Sequence, residues 1–146
     1  MRELPRQLTV EELAELFEGR TRLVELLATR EDPLGSADEA VDELDEAEKL
    51  EALNAHPAIG ARSGLSARSA AEQGADADPV ILTELAYLNQ VYEEKFGFRF
   101  VVFVDGRPKT AILEVLRSRL ERTREEELDT ALGELVAIAR DRWEKS

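Results

Sequence analysis

The chain has 146 residues, enough for one sizeable hydrophobic core but short of two domains of ordinary size. Hydrophobic residues make up 43% and charged residues 35%, a composition typical of soluble globular proteins. The formal net charge of -13 disfavours binding to nucleic acid or anionic lipid, because both need a basic surface. Cysteine is absent, which excludes disulfides, thiolate metal sites and a cysteine nucleophile.

No apolar run approaches the length of a membrane span, and the N-terminal stretch MRELPRQLTVEEL has no apolar signal core. We therefore expect an unprocessed cytoplasmic protein that does not bind membranes.

The first third of the chain has helical periodicity. Apolar residues recur at i, i+3 and i+4 in LTVEELAELFEGRTRLVELLATR, and Thr9 with Glu12 fits a capping box at its start. After a Pro- and Gly-containing break, Ser36 is a candidate cap for the next helical stretch. That stretch forms either one helix or two short ones, and it ends before Pro57 because proline disfavours helical geometry in the preceding residue.

The second half begins with a helix that starts at Pro79 and ends at Gly97. Residues 98–108, FRFVVFVDGRP, are the only β-like run, and DG within it predicts a turn. Because no partner strand is evident, we expect an extended buried connector. Two helices close the chain, the second capped by Thr123 with Glu126. The predicted fold is all-α, a single compact helical domain over residues 1–146.

Aromatic and acidic residues of the helices have simple structural interpretations. Tyr87, Tyr92 and Trp143 are predicted to pack between helices, since aromatic residues at helical spacing usually belong to a core. The acidic run REEEL, residues 124–128, is predicted to be a solvated face near a helix N-terminus, where negative charge is favoured.

The only histidine, His56, is the first candidate for chemistry, because imidazole exchanges protons near neutral pH. Pro57 fixes the backbone beside it at the end of a helix. Ser69 and Glu72, three residues apart, would project from one side of a helical turn. The alternatives are structural: a histidine that caps a helix or lies in a polar turn, and a capping box formed by the serine and glutamate.

Two other kinds of site are poorly supported. One histidine and no cysteine leave only scattered carboxylates as metal ligands, so we predict no metal site. The chain also lacks the G-x-S-x-G sequence that a serine hydrolase of the nucleophile-elbow type needs.

Four motifs in order carry a family resemblance: AHPAIG, SAAEQ, LNQVYEEKFGFRFVVFVDGR and IARDRW. Together with LFEGRTRLVELLA near the N-terminus, they resemble the OHCU decarboxylase family over nearly the whole chain. The resemblance implies an all-α homodimer that acts in purine (urate) catabolism. It implies conversion of 2-oxo-4-hydroxy-4-carboxy-5-ureidoimidazoline into (S)-allantoin and carbon dioxide, with no cofactor.

The resemblance also implies site residues at the matching positions of this chain. These are His56 and Glu72 for catalysis, and Pro57, Ser69, Val101, Val102 and Arg142 for substrate binding, the two valines through backbone. Arg142 matches the family's late arginine better than Arg140, because it follows Ile138 by four residues.

Some alternatives stay open at this point. Either His56 or Glu72 could deliver the proton to carbon. The chain could also be a non-catalytic helical interaction module built on this scaffold, or a decarboxylase of a related carboxylated heterocycle.

Overall fold

The computed structural model describes residues 7–57 and 78–145. These residues contain seven helices and no strand: α1 (Val10–Phe17), α2 (Arg22–Leu27), α3 (Ala37–Asp42), α4 (Glu46–Asn54), α5 (Pro79–Phe96), α6 (Lys109–Arg119) and α7 (Arg124–Lys145). The predicted all-α class is confirmed for this part of the chain. None of its helices is both long enough and apolar enough to cross a bilayer.

The chain divides into two compact units. The terminal unit comprises the described residues 7–56 and 132–145, and the central unit comprises Pro57 and residues 78–131. Helix α7 therefore contributes its first two turns to the central unit and the remainder to the terminal unit.

Local capping fixes where the first helices of the terminal unit begin. The predicted capping box at α1 is confirmed: the Thr9 hydroxyl accepts from the Glu12 amide at 3.1 Å, and the Glu12 carboxylate accepts from the Thr9 amide at 3.1 Å. Glu18 has a left-handed φ of 64° and ends α1. Thr21 then caps α2, so the first helical stretch forms two helices.

The second helical stretch also forms two short helices, α3 and α4. Asp45 makes a capping box with Glu48 and begins α4 in the middle of the stretch. Ser36 occupies the N-cap position of α3, but its hydroxyl donates to the Asp32 carbonyl at 2.7 Å and makes no cap bond to α3. Helix α4 ends at Asn54, before Pro57, as predicted.

The core of the terminal unit surrounds α2, which packs against α1, α3 and α4. Its buried apolar side chains include Leu13, Leu16, Phe17, Leu23, Val24, Leu27, Leu34, Leu53, Leu135, Val136, Ala139 and Trp143. Full burial of each large aliphatic side chain stabilises the fold by about 1.5–3 kcal/mol. The prediction that Trp143 packs in the core is confirmed.

In the central unit, α5 packs against α6. Pro79 occupies the first turn of α5, and Gly97 ends this helix with a φ of 82°, as predicted. Tyr92 lies on the buried face with ring centroids 4.6 Å from Phe96 and 5.2 Å from Phe100. The prediction was right for Tyr92 and wrong for Tyr87, which is 65% exposed and contributes no core packing.

The segment from Phe98 to Val104 has no regular secondary structure and pairs with no strand among the described residues, which agrees with the prediction of a connector in place of a strand. Its buried side chains are Phe98, Phe100, Val101, Val102 and Val104. A turn at Asp105–Gly106, both with positive φ, leads into α6.

Helix α7 begins with the predicted cap. The Thr123 hydroxyl accepts from the Glu126 amide at 3.2 Å, and the Glu126 carboxylate accepts from the Thr123 amide at 3.0 Å. These bonds from Thr123, the backbone amide first, hold the pKa of Glu126 below its ordinary value.

Candidate active site

His56 lies in the terminal unit, two residues beyond the end of α4. Its amide donates to the Leu53 carbonyl at 3.2 Å, and the residue is only 6% exposed. The helix end and the following Pro57 therefore hold the imidazole in a defined, buried position. A buried imidazole in a fixed place can exchange a proton with one face of a bound molecule.

Arg142 is buried in the same unit, on the inner face of α7, and is 3% exposed. Its Nη1 donates to the Leu16 carbonyl at 3.0 Å and lies 3.0 Å from Glu18 Oε1. Both partners lie at the end of α1. Leu16 precedes Arg142 by 126 residues in the sequence. The fold thus places this guanidinium inside the unit and pairs it with Glu18.

Arg140, the neighbouring candidate, has different partners. Its Nε donates to the Leu34 carbonyl at 2.9 Å, and its Nη2 lies 3.3 Å from Asp38 Oδ2. Two residues on a helix are separated by about 200° around the axis, which accounts for the different neighbours of Arg140 and Arg142.

The structure describes some of the remaining predicted residues and not others. Ser69 and Glu72 lie outside the described residues. Pro57 is half-buried at the start of the central unit. Val101 and Val102 are buried in the connector of the same unit. The roles of all these residues stay predictions.

The central unit contains a buried polar cluster that the sequence interpretation missed. Glu127 is 0% exposed, so the prediction that the run REEEL forms a solvated face is wrong for this residue. Tyr92 donates its hydroxyl to Glu127 Oε1 at 2.6 Å, and Arg119 Nε donates to the same oxygen at 2.7 Å. Arg122 Nη1 donates to Glu127 Oε2 at 3.0 Å.

This cluster perturbs the chemistry of Tyr92. Burial, followed by the hydrogen bond to Glu127, raises the pKa of the Tyr92 hydroxyl well above its ordinary value. The tyrosine is therefore a hydrogen-bond donor at all physiological pH values and is not a candidate for proton exchange with a substrate.

The spacing of apolar residues along the two helices predicts that members of this cluster are buried. Glu127 precedes the buried Ala131 and Leu135 by four and eight residues, and Arg119 follows the buried Leu116 by three. Both charged residues therefore lie on the apolar stripes of their helices. A charged residue on such a stripe needs a buried partner of opposite charge, which each supplies to the other.

No group of three or more histidine, aspartate or glutamate side chains within residues 7–57 and 78–145 is arranged to hold a metal ion. The described part of the chain thus offers His56 and Arg142 in one unit, and the connector with its supporting cluster in the other.

Comparison with known proteins gives consistent matches. The model of the OHCU decarboxylase family matches residues 2–144. The 2-oxo-4-hydroxy-4-carboxy-5-ureidoimidazoline decarboxylase of Haloferax volcanii is 34% identical over 119 residues, which cover 73% of this chain and 70% of that protein. The protein of the same name from Halalkalicoccus jeotgali is 34% identical over 109 residues, covering 72% of this chain and 62% of that protein.

A solved structure shares the fold. The crystal structure of an OHCU decarboxylase in the presence of (S)-allantoin superposes with a TM-score of 0.76 at 25% sequence identity. The superposition covers 92% of this chain and 96% of that one.

Proposed function

The chain belongs to the OHCU decarboxylase family, and we propose that it converts 2-oxo-4-hydroxy-4-carboxy-5-ureidoimidazoline into (S)-allantoin and carbon dioxide in urate catabolism. The observation that carries this proposal is the match of the family model to residues 2–144, nearly the full length of the chain. The similarity to a decarboxylase structure determined in the presence of (S)-allantoin supports the same substrate class.

The reaction breaks the bond between the ring carbon and its carboxylate. The electron pair of that bond passes into a neighbouring C=N or C=O of the heterocycle, and a proton then returns to carbon. Because the ring itself accepts the electrons, we expect no metal or organic cofactor. The protein's task is to bind the anion, fix the ring and deliver one proton to one face.

His56 and Glu72 are the proposed proton-transfer residues. The imidazole of His56 can carry a proton near neutral pH, and its burial supports a fixed direction of delivery. Glu72 either sets the charge state of the imidazole or holds the hydroxyl and ureido groups of the substrate. The face of the ring that meets His56 decides the handedness of the allantoin.

Binding is assigned to the other predicted residues. The guanidinium of Arg142 suits a carboxylate or ureido group, because its donors form a rigid planar fork. Its burial supports a role inside a pocket and not at the surface. Ser69 adds an orienting hydrogen bond, Pro57 packs against the ring, and the backbone around Val101 and Val102 contacts the heterocycle.

The test is a stereospecific assay in which the unstable substrate is generated in situ and allantoin is followed by circular dichroism. The protein should accelerate allantoin formation and yield the S enantiomer. A sample of heat-denatured protein at the same concentration is the control, because it retains composition and loses structure. An unchanged rate and no optical activity would contradict the proposal and favour a helical interaction module.

The proposal extends to assembly and location. We expect a homodimer that binds a small-molecule substrate in the cytoplasm, with residues 1–146 acting as one domain. Light scattering on a size-exclusion column should give about twice the chain mass of 16.4 kDa. A mass equal to that of one chain would contradict the dimer without affecting the proposed reaction.

A further inference from the structure

The backbone carbonyl groups of the connector in the central unit accept hydrogen bonds from side chains. A buried segment normally satisfies its carbonyl groups in a helix or a sheet, because an unsatisfied buried carbonyl is costly. Among the described residues this segment has no partner strand. Arginine side chains contact carbonyls in and beside it instead: Arg124 at Phe96, Arg119 at Val101, and Arg107 at Phe103 and Val104.

All three nitrogens of the Arg119 guanidinium make contacts within the unit. Nη1 donates to the Val101 carbonyl at 2.8 Å, Nε to Glu127 at 2.7 Å, and Nη2 to the Tyr92 hydroxyl at 3.4 Å. Its guanidinium carbon also lies 4.6 Å from the ring centroid of Phe100. The side chain therefore spans α5, α7 and the connector from its place at the end of α6.

Glu127 fixes the orientation of that guanidinium. Its carboxylate is excluded from water, and both of its oxygens accept hydrogen bonds. Arg122, one of the donors, also donates to Thr130 Oγ1 at 2.8 Å and is itself held in place. A buried, charge-assisted set of this kind has one low-energy arrangement. The direction in which Arg119 Nη1 points at the Val101 carbonyl is thus set by groups outside the connector.

We propose that Arg119, oriented by Glu127, is a positioning residue that fixes the backbone at Val101 and Val102 in the place from which it contacts the substrate. This inference rests on the proposed function, which assigns substrate contact to that backbone. Arg119 itself does not touch the substrate in this account. It acts by holding the carbonyl of Val101, so that the adjoining peptide groups face the ligand at a constant distance.

Arg124 provides a matched control. Its Nε donates to the Phe96 carbonyl at 2.9 Å, and its guanidinium carbon lies 5.6 Å from the ring centroid of Phe98. The chemistry resembles that of Arg119, but the carbonyl lies five residues before Val101. Replacement of either arginine by lysine removes the planar fork and keeps the charge.

The experiment compares Arg119→Lys, Arg124→Lys and the wild-type protein in the circular dichroism assay, well below the melting temperature of each. Arg119→Lys should raise KM about 10-fold, the effect of losing roughly one hydrogen bond to the substrate, while kcat changes less. Arg124→Lys should leave KM within about twofold of the wild-type value. A role in stability alone would lower the melting temperature of both variants without this difference in KM.

A second readout does not depend on activity. Amide hydrogen exchange measured by NMR should become faster at Val102 and Phe103 in Arg119→Lys than in Arg124→Lys. Glu127→Gln keeps the side-chain shape but removes the charge that orients Arg119, and it should show the same pattern in weaker form. This variant takes the place of Arg119→Lys if the latter does not fold.

The outcomes separate the two claims. A wild-type protein without activity overturns the proposed function, and exchange at Val102 then decides whether Arg119 fixes the backbone. An active wild-type protein whose folded Arg119→Lys variant has unchanged KM and unchanged exchange overturns the positioning role. A KM that rises equally in Arg119→Lys and Arg124→Lys also overturns it.

Discussion

The terminal and central units each bury an arginine that pairs with a glutamate, and the two pairs differ in their exposure to water. In the terminal unit Arg142 pairs with Glu18, whose side chain is 12% exposed. In the central unit Arg119 pairs with Glu127, whose side chain is completely buried and accepts three donors. Water reaches the acidic partner of the first pair and not that of the second.

This difference indicates separate tasks for the two pairs. A carboxylate that is fully buried and surrounded by donors stabilises one structure, and breaking such a pair is strongly destabilising. When the acidic partner of a guanidinium is in contact with solvent, an anionic ligand can replace that partner or bind beside it at a lower cost in desolvation. We therefore propose that the terminal pair binds the ligand and that the central pair supports the connector.

The largest expected effect is on catalysis in the terminal unit. His56→Asn should lower kcat by about 10²–10⁴-fold, because an amide cannot carry a proton at neutral pH. The variant should fold normally, which its far-ultraviolet circular dichroism spectrum and melting temperature can check. Near wild-type turnover in the folded variant would remove His56 from the mechanism.

In the central unit the largest effect should be on stability. Glu127→Ala should lower the free energy of unfolding by about 3–5 kcal/mol, since it leaves the buried Arg119 guanidinium without its carboxylate. Urea denaturation at neutral pH measures this loss. Glu125→Ala, at a neighbouring exposed position of α7, is the control and should change stability by less than about 0.5 kcal/mol. Equal effects of the two substitutions would contradict the assignment of Glu127 to a structural cluster.

Arg142→Ala tests the proposed role of the terminal pair in ligand binding. It should weaken binding of (S)-allantoin or a substrate analogue by about 1.5–3 kcal/mol, the usual loss for a charge-assisted hydrogen bond. Isothermal titration calorimetry gives this value directly. Arg140→Ala is the matched control, because Arg140 also donates to a backbone carbonyl and pairs with an acid. Affinity should be nearly unchanged in Arg140→Ala, and the reverse order would show that the final motif is wrongly aligned.

The central cluster also predicts how stability responds to alkaline pH. The pKa of Tyr92 is raised in the folded protein, chiefly by burial, so the unfolded chain releases this proton first. The contribution of Tyr92 to the free energy of unfolding is fully present below about pH 10. Above that pH it falls by at most about 1.4 kcal/mol per pH unit. Tyr92→Phe should flatten the decline in melting temperature above pH 10. A decline of equal slope in both proteins would exclude Tyr92 as its source.

The smallest expected effect is that of metal removal. No group of metal-ligating side chains is present in the described part of either unit, and the proposed reaction needs no Lewis acid. Prolonged dialysis against a strong chelator should leave kcat and KM unchanged. Inhibition that added Zn²⁺ or Mn²⁺ reverses would contradict this expectation.

Several features were predictable from sequence because their causes are local. The capping boxes of Thr9 with Glu12 and of Thr123 with Glu126 lie within single helical turns. Gly97 ends a helix because glycine adopts positive φ at little cost. The connector was predictable for a related reason, since residues 98–104 are apolar and β-like and the chain supplies no second run of this kind.

Other features depend on partners far along the chain. Glu127 resembles its exposed neighbours in composition, and only its contacts with Arg119 and Tyr92 require burial. Tyr87 follows helical spacing, yet the fold leaves it at the surface. The partners of Arg142 belong to α1, so their identity requires the tertiary structure.

The most direct test of the central claim follows both products of one reaction in one sample. The substrate is prepared with ¹³C in its carboxylate, and the release of labelled carbon dioxide and bicarbonate is recorded by NMR while circular dichroism follows allantoin. The account predicts that label release and (S)-allantoin formation proceed at the same rate, in proportion to protein concentration. Release at the spontaneous rate with racemic allantoin would contradict it.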